Sequence, residues 1–169
     1  MLLIRPEQPE DIEAIRQVNE QAFGRADEAN LVDALRTGGK AVLSLVGVEG
    51  DRIVGHIFFS PVTIESDDGI VPAVGLAPMA VVPARQRRGM GSRLVRAGLD
   101  ECRNAGYNYG VVLGHPTYYP RFGFVPARQY GITSEYKVPD EACMILAWPG
   151  GVLRHRRGLV RYEPEFRQL

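Results

Sequence analysis

Two cysteines in 169 residues, Cys102 and Cys143, stand far apart in the chain. They leave no disulfide framework and no ligand spacing for a structural zinc, so no metal is expected. Net charge is also lacking: Lys plus Arg and Asp plus Glu each number 20. There is no overall field to recruit nucleic acid. No apolar run approaches the ~20 residues of a membrane-spanning helix, which excludes a membrane protein of that kind. The opening Met1-Leu2-Leu3-Ile4-Arg5-Pro6 is broken too soon for a signal peptide. These absences point to a reducing, cytoplasmic setting. What remains, 45% hydrophobic and 24% charged residues, is the composition of a globular protein. The length fits one domain over 1–169, with a core over 1–148 and a C-terminal extension over 149–169.

The chain is organised around Val81-Val82-Pro83-Ala84-Arg85-Gln86-Arg87-Arg88-Gly89-Met90-Gly91-Ser92. An apolar strand closes at Pro83, a basic glycine-bearing loop follows, and helical spacing resumes with Leu94 and Val95. Gly89 and Gly91 open backbone conformations closed to other residues and keep side chains off the concave face. The amides of Arg87 to Ser92 can then converge where a helix begins, a place that suits a phosphate. The nucleotide-hydrolase loop is excluded because no Lys follows either glycine. The dinucleotide fingerprint fails at Leu94, where a third glycine would stand. What the loop does contain is Q-x-x-G-x-G, running from Gln86 to Gly91. An ordinary strand-to-helix turn with a solvated basic face is the other reading of this stretch.

Upstream, Leu2 to Ile4 reads as a strand. Pro9, Glu10 and Asp11 open a helix carrying Ile12, Ile15, Val18 and Phe23. Asp27 is placed to cap a second helix with Leu31, Val32 and Leu35, stopped at Gly38-Gly39. Ala41–Val48 and Arg52–Phe59 read as a hairpin turned at Glu49-Gly50-Asp51, which Val62–Ile64 can extend. Ala73–Val82 is the strand that feeds the loop. Pro78 inside it cannot donate to a ladder and marks a break in pairing. The backbone of Met79, Ala80 and Val81 is then open to an extended, amide-bearing ligand. Met90 to Ala105 is helical, with Gly98 allowing close packing and Cys102 facing the core. The strand from Tyr109 to Gly114 should run parallel to the one before the helix, through a right-handed crossover.

After it comes His115-Pro116-Thr117-Tyr118-Tyr119-Pro120-Arg121-Phe122-Gly123-Phe124. Q-x-x-G-x-G after a V-x-P strand end, followed one helix and one strand later by a tyrosine turn closed by G-F, resembles the GNAT superfamily of N-acetyltransferases. The wording from Tyr118 to Phe124 further resembles a bacterial branch of predicted acetyltransferases. The resemblance covers most of 1–148, with weaker agreements at Ile4-Arg5-Pro6 and Val54-Gly55-His56. It departs at His115-Pro116, where many members have an Asn that helps hold the cofactor.

The resemblance implies a mixed, mostly antiparallel α/β sheet with one splayed parallel strand pair and flanking helices. It implies acetyl-coenzyme A as co-substrate, held by Met79, Ala80, Val81, Gln86, Arg87, Arg88, Gly89, Met90, Gly91 and Ser92. Direct transfer of acetyl to a primary amine of undefined identity would follow. Tyr119 stands where the family's acid stands, and a phenol near pKa 10 is matched to an alkyl thiol. Tyr118 reads as core or pocket wall. Four arginines (Arg85, Arg87, Arg88 and Arg93) surround the loop. Glu28, His56, Glu65, His115 and a chain of waters all remain open as the base. The rival class is a non-catalytic module that binds and senses acyl-coenzyme A. Strands around Gly131–Ile132, Cys143–Trp148 and Gly158–Tyr162 complete the pattern, the last at a candidate homodimer contact. Arg154-His155-Arg156-Arg157 reads as a solvated turn.

Overall fold

The computed structural model describes residues 1–169. Nine strands form one sheet in the order β1-β2-β3-β4-β5-β8-β6, with β9 added to β3 and β7 added to β9. Contacts group the chain into two compact units. The first is 1–60, 77–101 and 164–169; the second is 61–76 and 102–163.

The first unit begins with β1 (Leu2–Pro6), antiparallel to β2 (Leu43–Glu49), which pairs in turn with β3 (Arg52–Ser66). A 3-10 turn at Pro9–Asp11 leads into α1 (Ile12–Phe23). Asp11 stitches this entry together. Its carboxylate accepts from Gln8 N at 2.8 Å and from both terminal nitrogens of Arg5 at 2.7 and 3.1 Å. α2 (Asp27–Thr37) buries Leu31, Val32 and Leu35, as its spacing predicts. Ala26 rather than Asp27 holds the cap position, and no side chain caps the helix. α3 (Met90–Asn104) buries Leu94, Val95 and Leu99. Gly98 is where a strand ring presses in, since a Cβ there would overlap the Phe59 ring.

The second unit holds the start of β4 (Gly69–Val81), β5 (Tyr109–Leu113), β6 (Val125–Pro126), β7 (Ile132–Ser134), β8 (Cys143–Ala147) and β9 (Gly158–Tyr162). β4 and β5 are parallel, as the crossover rule requires. Their ladder covers only Val74↔Gly110 and Gly75↔Val111. β8 is antiparallel to β5 over its whole length.

Two expectations are corrected. Arg52–Phe59 and Val62–Ile64 are one 15-residue strand, which pairs with β2 up to Phe59 and with β9 from Val62. Pro61 lies at the change of partner, where a missing N–H is tolerated. Pro78 does not break β4, which continues to Val81; pairing with β5 has already ended at Gly75. β9 forms where Gly158–Tyr162 was expected, with β3 on one side and β7 on the other.

Candidate active site

The anion loop follows from the end of β4. Val82 N–H bonds Val54 O at 2.9 Å, and Pro83–Arg85 forms one 3-10 turn. Gln86 then turns its amide back to Val81 O at 2.9 Å, tying the loop to the strand it left. Arg87 and Gly89 both take left-handed conformations, with φ of 64° and 80°. Only glycine enters that region at no steric cost, which explains the residue at 89. The first bond of α3 runs from Arg93 N–H to Gly89 O at 3.1 Å. The amides of Met90 and Gly91 precede it, at the helix start where donors lack intrahelical acceptors.

The Met90 side chain is buried, so only its backbone faces outward. It packs with Leu94 over Gly55, where a Cβ would meet Leu94 Cδ1 at 2.9 Å and Met90 Sδ at 3.5 Å. That contact anchors the first turn of α3 on β3. A Cβ on Gly89 would meet nothing within 4 Å, so the space before the amides is open.

The four arginines are not equivalent. Arg85 Nε bonds Glu49 Oε1 at 2.7 Å, and the guanidinium draws that carboxyl below its usual range. Arg93 reaches Leu2 O at 3.3 Å. Arg87 and Arg88 are exposed. A cavity of about 730 Å³ adjoins Val82–Arg85 and is walled by Arg5, Asp11, Gln17 and Arg52 among others. It does not reach Gln86–Ser92.

Tyr119 belongs to the second unit. The chain leaves β5 at Gly114, turns through His115-Pro116-Thr117, and enters a 3-10 turn at Tyr119–Phe122. Tyr118 and Tyr119 amides both reach His115 O, at 3.1 and 3.4 Å. Tyr119 is 9% exposed. Its ring meets Tyr118 edge-on at 5.1 Å and Phe124 at 5.9 Å between centroids. A Cβ on Gly114 would overlap it, so the absence of a side chain at 114 makes room for the ring. Burial pushes the Tyr119 phenol up to about 12, with Tyr118 adding to it. Tyr118 is half-buried beneath the Arg121 guanidinium, 4.5 Å from its ring centre.

The four candidate bases separate. Glu28 is 6% exposed, and Arg25 holds it through bonds of 3.0 and 2.6 Å, which lower its pKa. Glu65 is bonded by Arg161 at 2.6 Å on the surface. His115 is exposed in its turn. His56 is fully buried, and desolvation pushes it down to about 3.

Around His56 lies a polar chain that sequence reading missed, because no local pattern announces it. Asn19 Nδ2 lies 3.1 Å from His56 Nδ1, and Ser44 Oγ lies 2.9 Å from His56 Nε2. Ser44 donates to Glu7 at 2.6 Å, and Arg36 grips Glu7 at 2.7 and 2.8 Å. A neutral imidazole accepting from Asn19 at Nδ1 carries its proton at Nε2 and donates it to Ser44. A second feature missed is a cavity of about 220 Å³ between Arg128 and Cys143. No group of three or more His, Cys, Asp or Glu is arranged to hold a metal ion. No helix is long and apolar enough to cross a membrane.

The chain as a whole is similar to known proteins. The acetyltransferase (GNAT) domain family matches residues 3–127. The N-acetyltransferase YjhQ of Escherichia coli K12 is 40% identical over 141 residues, 80% of this chain and 78% of YjhQ. YhbS of the same strain is 33% identical over 169 residues, 99% of this chain and 100% of YhbS. The crystal structure of E. coli YhbS in complex with CoA matches with a TM-score of 0.90 at 32% identity, over 98% of this chain and 92% of that one. A GNAT family acetyltransferase from Brucella melitensis in complex with acetyl-CoA matches with a TM-score of 0.80 at 37% identity, over 98% of both chains. By sequence over most of its length and by fold over nearly all of it, the chain belongs to the GNAT acetyltransferases.

Proposed function

We propose that the protein is an acetyl-coenzyme A-dependent N-acetyltransferase that transfers acetyl to a primary amine by direct attack, with Tyr119 as the acid. The observation that carries this reading is the run from β4 into α3. Pairing with β5 ends at Gly75, the strand continues to Val81, and Gly89 opens onto the amides of Met90 and Gly91. An extended ligand with amides at one end and a pyrophosphate at the other suits that sequence of donors. The E. coli and Brucella relatives with CoA and acetyl-CoA in their structures support the same ligand here.

In this reading the backbone of Met79, Ala80 and Val81 borders the thioester arm and polarises its carbonyl. Arg87, Gly89, Met90, Gly91 and Ser92 cradle the pyrophosphate, and Arg88 adds charge beside it. Gln86 acts by holding the loop to Val81. The amine nitrogen attacks the thioester carbon, the C–N bond forms, and the C–S bond breaks. The nitrogen gives up one proton. The Tyr119 hydroxyl gives its proton to the departing sulfur and recovers one from solvent. A phenol that stays protonated to about pH 12 is present as the acid at any ordinary pH. Glu28 and Glu65 are held by arginines and His56 is sealed, which leaves water or the exposed His115 to take the proton.

That same lack of a committed base favours the second reading, a domain that binds acyl-coenzyme A without turning it over. Calorimetry with acetyl-coenzyme A, followed by thiol release against a panel of amines, tests both. Binding with amine-dependent thiol release is expected. Tight binding with no release for any amine leaves the sensor, and no binding overturns both.

A further inference from the structure

The second unit holds a cavity beside the strand ends that lead to the Tyr119 turn. It measures about 220 Å³, and its walls include Arg128, Thr133, Ser134, Tyr136, Lys137 and Cys143, with Asp140 beside them. Cys143 forms its floor as the first residue of β8, where it pairs with Leu113 of β5. The next residue of that strand end, Gly114, donates to Ala142 O at 3.0 Å, and the Tyr119 ring rests on Gly114. One strand position therefore separates the floor of the cavity from the glycine beneath the phenol. From the other side, the Tyr136 ring stands 6.0 Å from that of Tyr162. Tyr162 is buried, and that burial holds its phenol protonated.

The charges of the wall select among amines. Arg128 and Lys137 are exposed at the cavity and enter no ion pair, whereas Arg161 and Arg154 of the same unit are paired with Glu65 and Asp68. Thr133 and Ser134 supply hydroxyls between the two cations along the chain. Asp140 is the one carboxylate of the lining and offers a place for an ammonium. Two cations and one carboxylate complement a molecule with an anionic group at one end and an amine at the other. A polyamine would meet two positive charges on entering. The volume is below the roughly 300–1,000 Å³ of sites that take drug-sized ligands, so the acceptor is small.

We propose that this cavity is the acceptor site, and that the acceptor is a small amine bearing a carboxylate or phosphate held by Arg128 and Lys137. The proposal rests on the acetyltransferase reading above and names its substrate class. The bond changes are those already given: nitrogen replaces sulfur on the acetyl carbon, and one proton passes from amine to solvent as one passes from Tyr119 to sulfur.

The test compares matched amines in the thiol-release assay: β-alanine against its amide, O-phosphoethanolamine against ethanolamine, and putrescine. The anionic member of a pair should be turned over with at least about tenfold higher kcat/KM, the loss expected for a missing charge-assisted contact. The carboxylate and phosphate arms decide which anion is taken. Arg128→Gln and Lys137→Gln, both at exposed positions, should raise KM for the anionic acceptor and narrow its advantage over the neutral one. Lys137→Glu should shift preference toward putrescine. Equal or better turnover of the neutral amines or putrescine by the parent overturns the proposal, as does an unchanged acceptor KM in both variants. Calorimetric titration of the same amines into coenzyme A-bound protein separates the two layers. Binding of an anionic amine that Arg128→Gln abolishes, without turnover, keeps the pocket and sinks the acetyltransferase reading. Neither binding nor turnover of any anionic amine sinks the pocket.

Discussion

Gly89 and Gly114 are kept for opposite reasons, and the two regions around them differ in the same way. Gly89 has φ of 80° and no neighbour within reach of a Cβ. It is required by its own backbone and by whatever approaches it from outside. Gly114 sits under the Tyr119 ring, and space alone requires it. The loop around Gly89 is exposed, cationic and built from backbone donors. The turn after Gly114 is exposed at His115–Thr117 and at Arg121, but it buries the Tyr119 ring among Tyr118 and Phe124. In the proposed reading the first binds charge and the second supplies a proton.

The sharpest way to separate the two is Tyr119→Phe, which removes one hydroxyl and keeps the ring packed against Tyr118 and Phe124. Turnover should fall by roughly 10²–10⁴-fold, the usual worth of a general acid, with little change in acetyl-coenzyme A affinity. Tyr118→Phe should be far milder. The parent should also lack an alkaline fall in kcat from this residue until about pH 12. An undiminished rate in Tyr119→Phe, measured with chemistry limiting, removes Tyr119 from the acid's role.

Burial acts on His56 in the first unit as it acts on Tyr119 in the second, but the neutral form is reached from the other side. Unfolded, a histidine titrates near 6.5; folded, His56 is pushed down to about 3. Between those values the unfolded chain binds more protons, so stability rises with pH. The contribution is full above about pH 6.5 and is lost as pH falls toward about 3, with a slope nearing 1.4 kcal/mol per unit. The window from about pH 6.5 to about pH 4.5 isolates it, because the depressed carboxylates Glu7, Asp11 and Glu28 lose theirs lower. Urea unfolding across that window should be steeper in pH for the parent than for His56→Gln. Parallel curves would mean that His56 is protonated in the folded chain.

How much of this could be read before folding depended on distance along the chain. The loop from Gln86 to Ser92 is local, so its glycines, its place before a helix and its preceding strand were all legible. The Tyr119 turn was legible through its spacing, but Tyr118 was read as core or pocket wall and it is Tyr119 that is buried. Gly98 was read as a close contact, though its partner Phe59 lies 39 positions earlier (98 minus 59). The chain from Asn19 through His56 and Ser44 to Glu7 was not legible, since three elements and the segment after β1 bring those residues together. The cavity between Arg128 and Cys143 was not legible either. Its residues sit in short turns with no period, and only the pairing of β8 with β5 brings them to Gly114. Pro78 misled because a proline in a strand suggested a break at its own position, whereas the ladder had ended three residues earlier (78 minus 75).

The paired glycine variants test the opening contrast directly. Gly89→Ala puts a methyl where phosphate is expected to approach, and adds about 1–2 kcal/mol of left-handed strain. Acetyl-coenzyme A affinity should fall about tenfold while kcat at saturation is kept, since 1.4 kcal/mol is one factor of ten. Gly114→Ala should do the reverse, displacing the Tyr119 ring and lowering kcat while leaving affinity near the parent's. If both variants lose affinity alone, Tyr119 is not positioned by Gly114 for the chemical step.

The smallest effect lies within the loop itself, among its arginines. Arg87 and Arg88 are exposed, whereas Arg85 is already bonded to Glu49 at 2.7 Å. A guanidinium whose partner is in place gains less from a second anion and would have to leave the first. Acetyl-coenzyme A affinity should therefore weaken by a few fold between about 50 mM and about 500 mM salt, as exposed charges are screened. Arg87→Gln and Arg88→Gln should each reduce that salt dependence, and Arg85→Gln should reduce it least. Coenzyme A should bind more tightly than its dephospho form at low salt if these arginines also meet the 3′-phosphate. Equal affinity for the two forms would confine the cluster to the pyrophosphate, and a larger loss in Arg85→Gln than in Arg88→Gln would mean that Glu49 releases its partner to the ligand.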